Sequence, residues 1–177
     1  MINAFISLDH RLFYFIHVTI KNSFFDWLMP IMSNGQLWAA PLGFACVLAI
    51  YFGRKRGMFA VVLLIIAVGL SDFSGNVLKH IISRCRPLGS ELDSFPSNHA
   101  SNSFAFALLA SFCWRNRWVR ITVYAIALTV GFSRVYIGAH YPADVVAGAL
   151  WGTLAGAFVI MLSRKYFPGF HDENAHP

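Results

Sequence analysis

From Gln36 to Phe52 the chain runs without one charged residue. As a helix that stretch is about 25 Å long, close to the hydrocarbon thickness of a bilayer. Four later stretches read the same way. They are Met58 to Ile82 (apolar first, polar toward its end), Asn98 to Trp114, Trp118 to Tyr136 and Pro142 to Ser163. Several lie near the short limit for a span, which implies close packing or local bilayer thinning. Composition leaves little alternative: 57% of the chain is hydrophobic and 12% charged, against about a quarter charged in average soluble domains. A 177-residue globule cannot bury that much apolar surface, whereas lipid can cover it. The expected fold is all-α, a polytopic membrane helix bundle with five spanning helices.

The first 35 residues read differently. Leu12 to Ile20 is apolar and aromatic, but Asp9, His10, Arg11 and Lys21 bracket it, so it reads as an interfacial amphipathic helix. Asn22 to Ser33 reads as a second surface helix or as half of a sixth span. Met1 to Leu8 lacks the charged start and apolar core of a cleaved leader. The chain thus divides into an N-terminal interfacial segment (1–35), a transmembrane core (36–163) and a cytoplasmic tail (164–177). In the last span Gly148, Gly152 and Gly156 share one face, where another helix can approach closely.

The net charge of +6 falls into two groups of basic residues. Arg54-Lys55-Arg56, Arg115 with Arg117 and Arg120, and Arg164-Lys165 alternate correctly to lie on one side, the cytoplasm. The opposite side receives Ser83 to Ser97 and Ile137 to Tyr141. Arg84 and Arg86 run against the charge rule there, and a bound anion explains them. Nucleic acid is not an expected partner, because no basic stripe sits on a soluble element. Cys46, Cys85 and Cys113 have neither metal-ligand nor redox spacing.

Polar chemistry collects on the outer side. Asp72, Asn76, Lys79 and Ser83 share a helix face, and such a stripe at membrane depth faces a bundle interior or a wet cavity. An Asp72–Lys79 relation that packs the bundle is the plainer reading of that stripe. Phe95-Pro96-Ser97-Asn98-His99 opens the next helix. Its free backbone N–H groups suit phosphate, although Ser97 also serves as a cap. His140 and Asp144 are four apart at a helix start. A carboxylate on one imidazole nitrogen would fix the tautomer and leave the other nitrogen as a nucleophile. Three cations, Lys79, Arg86 and Arg134, and a helix N-terminus suit a phosphoryl group, and two histidines suit a nucleophile and an acid. No carboxylate cluster suggests a magnesium site.

Lys79-xxxxxx-Arg86-Pro87, Pro96-Ser97-Asn98-His99 and Ser133-Arg134-xxxxx-His140-xxx-Asp144 resemble the three motifs of the type 2 phosphatidic acid phosphatase superfamily. The resemblance extends from about Asp72 to Gly152, and it departs at Asn98, where the family commonly has glycine. It implies that His140 attacks phosphorus, that Asp144 orients it, and that His99 protonates the leaving oxygen. Lys79, Arg86, Ser97, the Asn98 amide and Arg134 would hold the phosphate, with no metal or other cofactor. The spans point to the lipid phosphatase branch, whose partners are the bilayer and a lipid phosphate. Undecaprenyl pyrophosphate, phosphatidylglycerol phosphate, phosphatidic acid and the 1-phosphate of lipid A are the candidate substrates. Transfer of the phosphoryl group to a second lipid is the alternative reaction. A channel would also use intramembrane charge, but the motif spacing does not fit one.

Overall fold

The computed structural model describes residues 2–170, and every regular element in that range is helical. The order is α1 (Ile2–Tyr14), a π-helical turn (Phe15–Thr19), α2 (Ser23–Ser33), α3 (Gly35–Ile82), α4 (Asn98–Cys113), α5 (Arg117–Tyr136), α6 (Pro142–Tyr166) and a 3-10 turn (Pro168–Phe170). The expected tail lies outside the described residues from 171 onward.

A straight helix with the 48 residues of α3 would be about 72 Å long, more than twice the bilayer core. It is not straight. Arg54 adopts φ 48° and ψ −127°, and the chain doubles back there. Gly57 lies against Ala49 so closely that an added Cβ would stand 1.8 Å from the Ala49 carbonyl oxygen. The first two expected spans are therefore the two arms of one helical hairpin, with Arg54-Lys55-Arg56 at its tip.

Three helices, α3, α5 and α6, are long and apolar enough to cross a membrane. α4 has 16 residues, about 24 Å, and is shorter than those three. It sits at the centre, packed against α3, α5 and α6. Leu109 and Ala110 of α4 meet Leu63, Leu64 and Ala67 of α3 and Val159 of α6 in the core.

α6 has its large residues outside. Val146, Leu150, Leu154, Phe158 and Met161 are exposed, as lipid-facing side chains are, while Gly148, Gly152 and Gly156 face α4. A Cβ at Gly152 would stand 1.8 Å from the Ser101 carbonyl oxygen, and one at Gly148 2.4 Å from that of Ser97. The two backbones touch, which carries the start of α4 to the start of α6.

The N-terminal segment departs from expectation. The interfacial helix expected over Leu12 to Ile20 begins at Ile2, and Asp9, His10 and Arg11 lie inside it rather than at its edge. The reason is that Asp9 faces inward onto an arginine and needs no water. Phe5, Ile6, Leu8 and Leu12 stay exposed on α1. α2 has 11 residues, too few to cross, and Asn34 separates it from α3 with an extended backbone. It is capped by the Asn22 side chain, which accepts from the Phe25 N–H at 3.0 Å. It is fastened to α5 through Tyr136, whose hydroxyl donates to Asp26 at 2.8 Å.

Candidate active site

His140 lies in the short turn between α5 and α6. Gly138 takes φ +82° there, a conformation that favours glycine. The turn brings the N–H groups of Ala139 and His140 onto the Arg134 carbonyl at 3.0 and 3.1 Å. The His140 side chain is 2% exposed. Its Nδ1 stands 2.7 Å from the Ser94 carbonyl oxygen. A carbonyl only accepts, so Nδ1 carries the hydrogen and Nε2 keeps a lone pair. Burial, followed by the positive charges of Arg134 and Lys79, pushes the His140 pKa down to about 3. The imidazole is neutral at neutral pH.

That depression has a measurable consequence. Between the ordinary value of 6.5 and about 3, the unfolded chain binds a proton at His140 that the folded chain refuses. The stability tied to this group is complete above pH 6.5 and is lost as the pH falls toward 3. Thermal unfolding in micelles should show a midpoint that drops on acidification through this window. His140→Asn should show a shallower drop, and an equally steep one would show that His140 carries none of it.

Asp144 is completely buried. One oxygen accepts from Arg84 Nη1 at 2.5 Å. The other accepts from the Ser94 hydroxyl at 2.6 Å and from the Tyr141 N–H at 2.9 Å. His140 Nδ1 is 3.9 Å away, outside hydrogen-bonding distance. The direct His140–Asp144 bond expected from their spacing is not formed. Asp144 is the third residue of α6, and its carboxylate turns back to cap the Tyr141 N–H. Ser94 mediates instead, with its hydroxyl donating to Asp144 and its carbonyl accepting from His140.

Arg84 also differs from expectation. Its Nη2 donates to Asp9 at 2.6 Å, so the guanidinium bridges two carboxylates of the chain itself. Asp9 is 4% exposed, and its second oxygen accepts from the Ala143 N–H at 2.8 Å. A residue of α1 thereby caps α6 from 134 positions away. Tyr141 lies under Arg84, at 4.3 Å, and stacks on His10 of α1.

The expected phosphate-holding residues gather around this centre. Lys79, Arg86 and Arg134 are close enough to His140 to act on its charge. The same three cations and Asp72 act on His99. The Ser97 N–H donates to the Asp144 carbonyl at 3.0 Å. Of these phosphate-holding residues, Ser97 and Arg134 each carry a buried donor, the hydroxyl and Nε, with no partner among the described residues, and each suits an anion's oxygen. Arg134 Nη1 donates to the Ser33 hydroxyl of α2. Lys79 donates to the Asp93 carbonyl at 2.5 Å, and no Asp72–Lys79 pair forms. Arg86 holds the Asp93 carboxylate at 2.6 and 2.8 Å, and that bond keeps the Asp93 pKa below the usual range. Glu91 and Asp93 therefore both sit on the Arg86 guanidinium.

The Asn98 side chain turns away from His140. Its Nδ2 donates to Asp72 at 3.2 Å and to Asn76 at 2.7 Å. Gly75 makes room for it, since a Cβ there would stand 2.8 Å from Asn98 Oδ1. Beside it His99 lines a cavity of about 470 Å³ between the two arms of α3, α4 and α5. Its walls are mostly apolar, with Trp38, Leu42, Phe106 and Val123 among them. Sequence reasoning missed the parts played by Asp9 and Ser94, and read Asp9 only as one of the charges bracketing an apolar run.

A family model described as the PAP2 superfamily matches residues 60–168. The chain is 29% identical over 185 residues to a lipid A 4′-phosphatase of Bacteroides thetaiotaomicron, covering 93% of this chain and 81% of that one. It is 33% identical over 161 residues to YbjG of Escherichia coli, a candidate undecaprenyl-diphosphatase, covering 84% and 79%. Among solved structures, a transmembrane PAP2-type phosphatidylglycerolphosphate phosphatase from Bacillus subtilis matches with a TM-score of 0.73 at 26% identity, over 93% of this chain and 88% of that one. Aquifex aeolicus LpxE shares the fold with a TM-score of 0.72 at 24% identity, over 87% and 95%. Motifs, helices and relatives converge on one assignment: this chain is a membrane phosphatase belonging to the PAP2 superfamily.

Proposed function

We propose that the protein releases phosphate from a membrane lipid, a phosphomonoester or a pyrophosphate, through a phosphohistidine on His140 and without metal. The observation that carries this reading is the 2.7 Å contact between His140 Nδ1 and the Ser94 carbonyl. It commits the hydrogen to Nδ1 and leaves Nε2 as the nucleophile among three cations. Nε2 attacks phosphorus, the bond to the leaving oxygen breaks, and His99 gives that oxygen a proton. Lys79, Arg86, Arg134, the Ser97 hydroxyl and the Asn98 backbone N–H hold the phosphoryl oxygens. Water, deprotonated by His99, then attacks phosphorus, and the N–P bond breaks to release inorganic phosphate. Asp144 acts through Ser94.

Five passes fit the helices, with each arm of α3, α4, α5 and α6 crossing once. The basic hairpin tip, Arg115 with Arg117, and Arg164 with Lys165 would face the cytoplasm. His140 would face the periplasm of a bacterial inner membrane. The apolar cavity beside His99 supports a lipid substrate. The named activities of the relatives suggest lipid A phosphates, undecaprenyl diphosphate and phosphatidylglycerol phosphate, and phosphatidic acid completes the set. The test is phosphate release from each lipid by the purified protein in micelles containing a chelator, ranked by kcat/KM. Release with the chelator present is expected. Release from none of them, or only after metal is added, would contradict the proposal.

A further inference from the structure

The cavity beside His99 has one polar wall, and that wall is built around Asp72. Asp72 Oδ1 accepts from Asn98 at 3.2 Å and from Asn102 at 2.9 Å, and Oδ2 accepts from Asn76 at 3.1 Å. All three donors are neutral amides. No Lys or Arg pairs with Asp72 among the described residues. A carboxylate offers about four acceptor positions, and the amides fill three. Asp72, Asn98 and Asn102 all line the cavity. An acid held at membrane depth without a counter-charge marks a binding function.

We propose that Asp72 and Asn102 form a leaving-group subsite that takes a hydroxyl-bearing lipid alcohol, of the glycerol or sugar kind, and rejects the phosphate leaving group of a diphosphate. This inference rests on the reading of His99 as the acid. His99 lines the same cavity, so the group whose oxygen it protonates extends into that space. A hydroxyl on the departing alcohol can donate to the open position on Asp72. A diphosphate departs as a second phosphate, which is an anion even after His99 protonates the oxygen that leaves. It would meet the carboxylate as a like charge. The apolar walls at Leu42, Val68, Phe106 and Val123 then take the lipid's hydrocarbon. Phosphatidic acid has an acceptor-only leaving group, with neither the favourable donor nor the repelled charge, and falls between the two.

The experiment compares kcat/KM of the full-length protein in micelles for phosphatidylglycerol phosphate, phosphatidic acid and farnesyl diphosphate. A ratio of kcat/KM values measured on one preparation does not depend on the fraction folded. The wild type should prefer the glycerol ester over the diphosphate by roughly 10² or more, the scale at which unpaired or repelled polar groups discriminate. Asp72→Asn keeps the shape and removes the charge, and should narrow that ratio about tenfold. Asn102→Ala should narrow it in the same direction. A wild type that prefers the diphosphate would overturn the proposal, as would a ratio unchanged in both variants. No release from any of the three lipids would instead sink the phosphatase mechanism on which the inference rests.

Discussion

His140→Ala is expected to lower kcat by about 10⁴-fold or more while the protein stays folded and still binds its substrate. His140 presents a neutral imidazole nitrogen whose companion hydrogen is committed to the Ser94 carbonyl. The single hydrogen bond lost, from Nδ1 to the Ser94 carbonyl, is worth about 1 kcal/mol, too little to unfold the bundle. Lys79, Arg86 and Arg134 remain in place, so affinity for the phosphate persists. Phosphate release and the thermal midpoint should be measured on the same preparation. A variant that turns over within tenfold of the wild type would move the nucleophile to another residue.

The second large effect falls on Arg84, which touches no substrate in this account. Removing it strips the counter-charge from Asp144 and Asp9 together, and both are nearly fully buried. Breaking a buried pair by deleting one partner costs about 3–5 kcal/mol. Arg84→Ala should therefore lower the unfolding midpoint sharply and lower kcat as well, because Asp144 steadies Ser94 and Ser94 steadies His140. Arg84→Lys should recover only part of the loss. One ammonium cannot reach both carboxylates in the way two guanidinium nitrogens do. Asp9→Asn combined with Arg84→Ala should cost less than the sum of the single changes, since they share one contact. Unfolding of Arg84→Ala within 1 kcal/mol of the wild type (about the spread of an ordinary surface change) would show that the bridge carries no stability.

What could be read from the sequence follows from how local each signal is. The two arms of α3 were legible because the basic run at Arg54 interrupts two apolar runs. The glycine face of α6 was legible because helical spacing alone defines it. Lys79, Arg86 and Arg134 do lie near both His99 and His140, and the three ordered motifs made that grouping an expectation. Asp9 was not legible. Its partners, Arg84 and Ala143, stand 75 and 134 positions away, and in isolation a charge next to an apolar run reads as a boundary. Arg84 was visible as an excess charge, but its excess pointed to an anion when its partners are side chains of the protein itself. Ser94 meets His140 through its backbone carbonyl, and side-chain chemistry carries no trace of that contact. The four-residue spacing of His140 and Asp144 gives their separation but not the direction of the carboxylate, which the start of α6 turns back on itself.

Rapid-quench labelling tests the phosphohistidine most directly. Protein mixed with lipid carrying radioactive terminal phosphate is denatured in alkali within one turnover and digested. The account predicts label on the peptide containing His140, stable to alkali, released by acid, and chased away by unlabelled lipid as fast as phosphate appears. It predicts no label in His140→Ala. Steady phosphate release with an unlabelled protein, or label on any other residue, would contradict it.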